Sequence, residues 1–182
     1  LEKSQRFLRQ HVRDKPTKPF FLFHSAQAVH LPSFPADRFK GKTDSGPHGD
    51  FIFELDFVVG ALIKTLEELG VADNTLVIFS SDNGCSKAAG IGNLAQQGHK
   101  VSAHLRGSKA DLWDGGHRIP FIVKWPGKVK AGSTNGFRTG FEDWIPTLLD
   151  LIGAEGKIPA DVDGISIAPT LLGKRQHERP FL

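Results

Sequence analysis

Hydrophobic residues recur at helical spacing most clearly between Asp50 and Leu69. They form one apolar stripe, and the acidic residues Asp50 and Glu54 suit the positive end of a helix dipole. Gly70 is a residue type that commonly ends a helix. The pattern therefore predicts a long amphipathic helix that begins at Asp50. The stripe consists of Ile52, Leu55, Val58, Val59, Leu62, Ile63, Leu66 and Leu69.

Three short apolar runs predict β-strands at residues 20–23, 76–79 and 121–124. A strand, a long connection with a helix and a second strand make a βαβ unit, which builds a parallel sheet covered by helices. A second helix is predicted for residues 143–152, and the absence of apolar periodicity predicts a long loop at residues 85–104. The predicted fold class is α/β.

The run at residues 76–79 stops abruptly at polar turn residues, among them Asp82, Asn83 and Gly84. The carboxyl ends of strands are where α/β sheets bind ligands. A carboxylate beside a carboxamide offers hard oxygen ligands, which suit calcium or magnesium. Asn-Gly is also a strong turn signal, so these residues alone leave a simple turn as the alternative.

Composition narrows the function classes. The chain has 182 residues, of which 39% are hydrophobic and 24% charged, as in ordinary globular domains. The net charge of +3 is scattered and not gathered in basic runs, so nucleic-acid binding is not indicated. No stretch has the roughly 20 apolar residues that span a bilayer. The sequence contains no Met, so we expect it to be part of a longer protein, and the single Cys85 excludes an internal disulfide.

Three segments now stand out: Gln27–Pro32, Ser81–Gly84 and Leu105–Pro120. In this order and at these separations they resemble the type I sulfatases of the alkaline phosphatase superfamily, and the resemblance covers the chain from about Pro19 onward. It implies an alkaline phosphatase-like α/β/α sandwich around a mixed, mostly parallel sheet, of which this chain would form a part.

The resemblance also implies roles for particular residues. Asp82 and Asn83 match the pair that binds one calcium ion in the family. Lys109 matches the lysine that holds a sulfate oxygen, and His30 matches the histidine that contacts the sulfate and assists the leaving oxygen. Sulfate ester cleavage requires these roles, since the negative charge of the sulfate must be stabilised and the departing oxygen needs a proton or electrostatic stabilisation. Val29 stands where the family usually has proline.

The family's nucleophile is a formylglycine made from the Cys or Ser of a Cys/Ser-x-Pro-Ser-Arg motif, and that motif is absent. Cys85 is followed by Ser86 and Lys87, so we do not assign it this role. The resemblance implies that residues 1–182 are the C-terminal portion of a catalytic domain. The N-terminal portion with the nucleophile and the small C-terminal domain would both be absent, and this chain alone should be inactive.

The function expected from the resemblance is sulfuric ester hydrolysis, with a small-molecule or carbohydrate sulfate ester as substrate. A phosphodiester or phosphonate monoester hydrolase of the same superfamily is the alternative, since fold does not determine function. Asn83 argues against the two-zinc phosphatases, because imidazole suits zinc at that position and a carboxamide suits calcium. A truncated, non-catalytic relative is the third possibility. A periplasmic or secreted location is implied by the resemblance only.

The glycine-rich segment around Lys109 carries further expectations. Gly107, Gly115 and Gly116 should stand where backbones approach closely or φ is positive. Arg106 and Arg118 are expected to have structural roles. His104 and His117 flank this segment and are weaker candidates for substrate contact.

Overall fold

The structure is a computed structural model that describes residues 1–179. It contains two compact units, the first from Leu1 to Ile122 and the second beginning at Val123. The domain boundary predicted at residue 182 lies outside the described residues. Each unit has its own buried residues, and the predicted site residues all belong to the first.

The first unit is built around two packed helices. Its helices are α1 (Glu2–Asp14), α2 (Gly46–Glu68), α3 (Ile91–Gln96) and α4 (Asp114–His117), and 3-10 turns occupy Asp37–Phe39, Ala72–Asn74 and Lys87–Ala89. Leu8 of α1 is buried, and Gln5 Nε2 donates a hydrogen bond of 2.9 Å to Thr65 Oγ1 of α2. Within residues 1–179, no helix is both long enough and apolar enough to cross a membrane.

The long amphipathic helix is confirmed, but it begins at Gly46 and not at Asp50. Asp50 is 3% exposed, and its carboxylate accepts hydrogen bonds from the backbone N–H groups of Gly41, Lys42 and Thr43 at 2.7, 2.9 and 2.8 Å. The prediction that Asp50 starts the helix is therefore wrong. This carboxylate anchors the loop that precedes the helix.

Two of the three predicted strands are confirmed. β1 (Val77–Ser80) pairs with β2 (Phe121–Lys124) in a two-stranded sheet. Residues 20–23 form no strand with the described part of the chain, and Phe21 and Phe23 are each 74% exposed. A strand needs a neighbour for its backbone N–H and C=O groups. The apolar pattern predicts a strand and its burial, but it does not say which segment pairs with that strand or covers its side chains.

The predicted loop at residues 85–104 contains ordered helical structure, so that prediction is wrong in part. A 3-10 turn at Lys87–Ala89 is capped by Ser86 Oγ, which accepts from the Ala88 amide at 3.3 Å. Gly90 then takes a left-handed conformation at φ +77° and joins the turn to α3, in which Leu94 is buried. A helix this short has too few apolar residues to show a period.

The second unit is organised by a buried carboxylate. It contains α5 (Trp144–Leu151), α6 (Ala168–Leu171) and 3-10 turns at Phe141–Asp143 and Glu155–Lys157, which confirms the helix predicted at residues 143–152. Asp143 is fully buried and accepts hydrogen bonds from Thr139 Oγ1 at 2.9 Å, the Gly140 amide at 3.0 Å and the Ile165 amide at 2.9 Å. The Arg179 guanidinium neutralises it at 2.7 Å.

Candidate active site

Backbone hydrogen bonds connect the loop after β1 to the glycine-rich segment. The Gly84 amide donates to the Gly116 carbonyl at 2.9 Å, and the Lys109 amide donates to the Cys85 carbonyl at 2.9 Å. The Gly115 amide closes the glycine-rich segment on itself by donating to the Arg106 carbonyl at 2.7 Å. Three of the four predicted site residues, Asp82, Asn83 and Lys109, therefore lie on loops that are joined directly.

Glycine is required where these loops cross. A Cβ on Gly84 would lie 1.9 Å from the Gly115 carbonyl oxygen, and a Cβ on Gly115 would lie 2.3 Å from that of Gly107. A Cβ on Gly116 would lie 2.2 Å from the Asp111 carbonyl oxygen, and Gly107 itself has φ +91°. The prediction for the three glycines of this segment is confirmed. The sequence analysis did not foresee the close approach at Gly84, because Asn-Gly also has a local explanation as a turn.

The Asp82–Asn83 pair presents oxygen atoms. Ser81 Oγ donates to the Asn83 carbonyl at 3.0 Å, and Asn83 Nδ2 donates to the Gly84 carbonyl at 3.0 Å. Because the amide nitrogen is engaged, Asn83 Oδ1 remains as the acceptor end of the side chain. Asp82 is exposed, and its carboxylate makes no hydrogen bond or ion pair with residues 1–179. One charged and one neutral oxygen donor fit a hard cation such as calcium.

Asp111 organises the turn that carries Lys109. Its Oδ2 accepts from the Ser108 amide at 2.9 Å and from Ser108 Oγ at 3.0 Å, and its Oδ1 pairs with Lys87 Nζ at 3.1 Å. The hydrogen bond from Lys87, followed by those from Ser108, lowers the pKa of Asp111 below its ordinary value. Within the described chain, the Lys109 ammonium has no acidic partner. It can therefore bind an anion.

His30 lies in a turn closed by the bond from its amide to the Gln27 carbonyl at 2.9 Å. Its Nδ1 is 2.6 Å from the carbonyl oxygen of Leu31. A carbonyl only accepts, so Nδ1 carries the proton and Nε2 is the nitrogen open to a ligand. The side chain is exposed, and no hydrogen bond or ion pair in residues 1–179 joins it to Asp82 or Lys109. Hydrogen bonds thus connect the loops of three predicted site residues, and within residues 1–179 none connects His30 to Asp82 or Lys109.

Three other residues singled out in this region, Arg106, Arg118 and His117, have structural partners. The Arg106 guanidinium stacks 3.8 Å above the Trp113 ring, and Arg118 pairs with Asp114 at 3.5 Å. His117 Nε2 is 4.0 Å from Asp114 Oδ1. Burial raises the pKa of the Cys85 thiol, which keeps it protonated at neutral pH.

Sequence reasoning missed His48, which is 8% exposed and has a buried Nδ1 without a hydrogen-bond partner in the described chain. A signal was present, because His48 continues the stripe of Ile52 and Leu55 at positions i, i+4 and i+7. Because the predicted helix began at Asp50, His48 lay outside it and was not assigned to the apolar stripe. Beginning α2 at Gly46 makes His48 a buried polar residue that requires an explanation.

Candidate metal ligands are few in the described part of the chain. Among residues 1–179, no group of three or more His, Cys, Asp or Glu side chains could hold a metal ion. Asp82 and Asn83 therefore supply at most part of a ligand set.

Comparisons with known proteins show which proteins this chain is similar to. The family model described as Sulfatase matches residues 1–154. Steryl-sulfatase of Rattus norvegicus is 40% identical over 177 residues, which cover 94% of this chain and 30% of the relative. N-acetylgalactosamine-6-O-sulfatase of Bacteroides thetaiotaomicron is 36% identical over 183 residues, which cover 99% of this chain and 35% of the relative.

Solved structures show the same likeness. The crystal structure of PsFucS1 sulfatase from Pseudoalteromonas sp. superimposes with a TM-score of 0.82 at 32% identity, covering 97% of this chain and 35% of that one. The predicted partial α/β fold is thus confirmed by its structural neighbours. The chain spans about a third of the length of the curated relatives cited above, at 30% and 35%.

Proposed function

Because this chain belongs to the sulfatase family, we propose that the full-length protein hydrolyses sulfate esters. The observation that carries the proposal is the hydrogen bond of 2.9 Å between the Lys109 amide and the Cys85 carbonyl. It ties an anion-binding ammonium to the loop that presents the oxygen ligands of Asp82 and Asn83. The ammonium, together with a cation bound by those oxygen ligands, would supply the positive charge that holds a sulfate group.

Lys109 and His30 have different roles in the proposed reaction. The Lys109 ammonium binds a sulfate oxygen and stabilises the negative charge that it bears. As an imidazolium, His30 gives its Nε2 proton to the departing alcohol oxygen and becomes a neutral imidazole that keeps its proton on Nδ1. Because His30 Nδ1 donates to the Leu31 carbonyl at 2.6 Å, Nε2 is the atom through which the proton passes.

Asp82 and Asn83 would hold one calcium ion through a carboxylate oxygen and Oδ1, respectively. When bound, the ion supplies positive charge against a sulfate oxygen. The Asn83 Nδ2 bond to the Gly84 carbonyl at 3.0 Å restricts which end of the amide can act as a ligand. The Asp82 side chain lacks a competing cation among residues 1–179, and this leaves its carboxylate oxygens available to the metal.

No residue of this chain is assigned as the nucleophile. Its sequence lacks a Cys/Ser-x-Pro-Ser-Arg motif, so the formylglycine and the remaining metal ligands belong to another part of the full-length protein. We assign residues 1–182 to the C-terminal portion of the catalytic domain. The exposed Phe21 and Phe23 and the unpaired backbone at residues 20–23 support this, because they need a neighbouring strand.

The substrate is a small-molecule or carbohydrate sulfate ester. The names of two relatives, steryl-sulfatase and N-acetylgalactosamine-6-O-sulfatase, span both classes. The bacterial relative supports a periplasmic or secreted location for the full-length protein. No nucleic acid is expected as a partner, since the net charge of +3 is not gathered in a basic run.

The proposal is tested by assaying the full-length protein, produced with its formylglycine modification and with calcium, against matched esters. Sulfate release from aryl and sugar sulfates should exceed hydrolysis of phosphonate monoesters and phosphodiesters by at least about a hundredfold in kcat/KM. The reverse preference would establish the phosphonate or phosphodiester alternative. Turnover of none of these esters by modified, calcium-loaded protein would leave the non-catalytic alternative.

A further inference from the structure

The first unit contains a pocket of about 270 Å³ that the roles assigned above do not use. One wall comes from the loop after His30 and the start of α2, and the other from the segment around α3. The polar side chains in its lining are those of Ser33, Ser45, His48, Asn93 and Gln97. The pocket therefore borders both a loop that carries a proposed site residue and the segment that follows Asn83.

Two of these lining side chains lack partners. Ser33 Oγ and His48 Nδ1 are both buried without a hydrogen bond to the described residues. Leaving a buried polar atom unpaired destabilises the folded protein, so such atoms point to a missing partner. Both residues line the pocket, so a ligand there lies next to both side chains. His48 Nε2 makes no hydrogen bond within residues 1–179 either, which leaves the whole imidazole available.

The lining contains no Asp, Glu, Lys or Arg. Burial, and next the proximity of His99, lowers the pKa of His48 below its ordinary value, so the imidazole is neutral at physiological pH. The two rings stand 6.3 Å apart between centroids. A pocket without a formal charge selects neither an anion nor a cation. Its ligand must instead both donate and accept hydrogen bonds, as neutral imidazole, hydroxyl and amide groups do.

We propose that this pocket binds a neutral, hydroxyl-bearing ring of monosaccharide size. Sugar hydroxyls donate and accept at once, and the apolar surfaces of Pro47 and Leu94 in the lining suit the C–H face of a pyranose. Its volume of about 270 Å³ lies just below the range of about 300–1,000 Å³ for drug-sized ligands, which fits one ring. The pocket then holds an uncharged sugar unit of a sulfated carbohydrate, an assignment that rests on the proposed function.

Direct binding tests the pocket without turnover. Galactose, glucose and N-acetylgalactosamine are titrated into the full-length protein by calorimetry and ligand-observed NMR. At least one should bind saturably, and His48→Phe and Gln97→Ala should each weaken it by at least about tenfold. The conservative His48→Gln should recover part of the loss. His177→Gln, at an exposed histidine in the second unit, is the matched control and should bind as wild type does.

The same variants are then compared by the ratio of kcat/KM on a sulfated disaccharide to that on an aryl sulfate without a sugar. His48→Phe and Gln97→Ala should lower this ratio by at least about tenfold. Gln97 is exposed, so its variant tests the pocket even if His48→Phe does not fold. Wild-type protein that binds none of the sugars, or variants that bind like wild type, would overturn the inference. Sugar binding without hydrolysis of any sulfate ester would overturn the proposed function and leave the pocket in place.

Discussion

The backbone amide of Lys109 donates a hydrogen bond of 2.9 Å to the carbonyl oxygen of Cys85, two residues beyond Asn83. A second bond of 2.9 Å, from the Gly84 amide to the Gly116 carbonyl, fastens the same loops. The loops that carry Lys109, proposed to bind an anion, and Asp82 and Asn83, proposed to bind a metal ion, are thus held by main-chain contacts and do not depend on flexible side chains. Preorganisation of this kind is what charge stabilisation in an active site requires.

Asn83→Ala in the full-length protein should raise the calcium concentration needed for half-maximal sulfate ester hydrolysis by at least about tenfold, because one oxygen ligand is lost. Calcium is titrated back after chelation to measure this. Asn74→Ala, at an exposed asparagine on the 3-10 turn before β1, provides the control. Equal calcium requirements for the two variants would remove Asn83 from the metal site.

Gly84→Ala should destabilise the protein by about 1–3 kcal/mol, because the added Cβ would lie 1.9 Å from the Gly115 carbonyl oxygen and force the loops apart. Gly60→Ala is the matched control. Gly60 is exposed within α2, and a Cβ there meets nothing within 4 Å, so alanine should stabilise the helix by about 0.5–1 kcal/mol. Denaturant unfolding of the two variants measures both effects. A neutral Gly84→Ala would mean that the loops are not held together as described.

Asp50 should make stability depend on acid pH. Burial raises the pKa of its carboxyl. The hydrogen bonds from the Gly41 and Thr43 amides and from Thr43 Oγ1 lower this pKa by more than burial raises it, so it lies below its ordinary value. A lowered folded-state pKa contributes stability above the unfolded value near 3.9, and this contribution is lost as pH falls through the folded pKa.

Between about pH 5 and pH 3, the free energy of unfolding of wild-type protein should therefore fall more than that of Asp50→Asn. Asp44→Asn, at an exposed position on the same loop, should keep the wild-type dependence. Denaturant unfolding at several pH values makes the comparison. If the free energy of unfolding fell equally with pH in wild type and Asp50→Asn, this role of the carboxylate would be ruled out.

His48→Phe should raise the free energy of unfolding by about 1 kcal/mol, because it removes a buried Nδ1 that has no partner in the described chain. His177→Phe, at an exposed position, should change stability little. Thermal unfolding without ligand measures both. A large loss of stability in His48→Phe would show that the imidazole is held by interactions of the folded protein, and not kept open for a ligand.

The pattern of apolar residues was sufficient for β1, β2, α5 and most of α2, because each of these elements contains an apolar run or stripe bounded by polar or turn residues. It failed at the start of α2, where the contacts of Asp50 are made to Gly41 and its neighbours and not to the helix dipole. It also failed at residues 20–23, where Phe21 and Phe23 are exposed, since an apolar run does not say which segment would pair with it or cover it. The 3-10 turn at Lys87–Ala89 and the helix α3 are too short to show a periodic pattern of apolar residues.

The candidate site was predicted from motif resemblance, and the structure adds what a linear motif cannot contain. Main-chain bonds join the Asp82 and Lys109 loops although these are distant in sequence, and no residue type encodes such bonds. The role of Gly84 was hidden by its local explanation as a turn residue. His48 was missed because its significance lies in an unpaired buried atom, which only packing reveals.

Whether this loop cluster is a sulfate ester site is tested most directly by the effect of Lys109→Ala on sulfate release by the full-length, calcium-loaded protein. We expect a loss of at least about a hundredfold in kcat, as when a charge stabiliser is removed, with a similar loss for Asp82→Ala. Lys130→Ala, at an exposed lysine in the second unit, should retain wild-type activity within about twofold, as should happen when no transition-state contact is lost. Activity of Lys109→Ala within a few-fold of wild type would contradict the assignment of this loop cluster as a sulfate ester site.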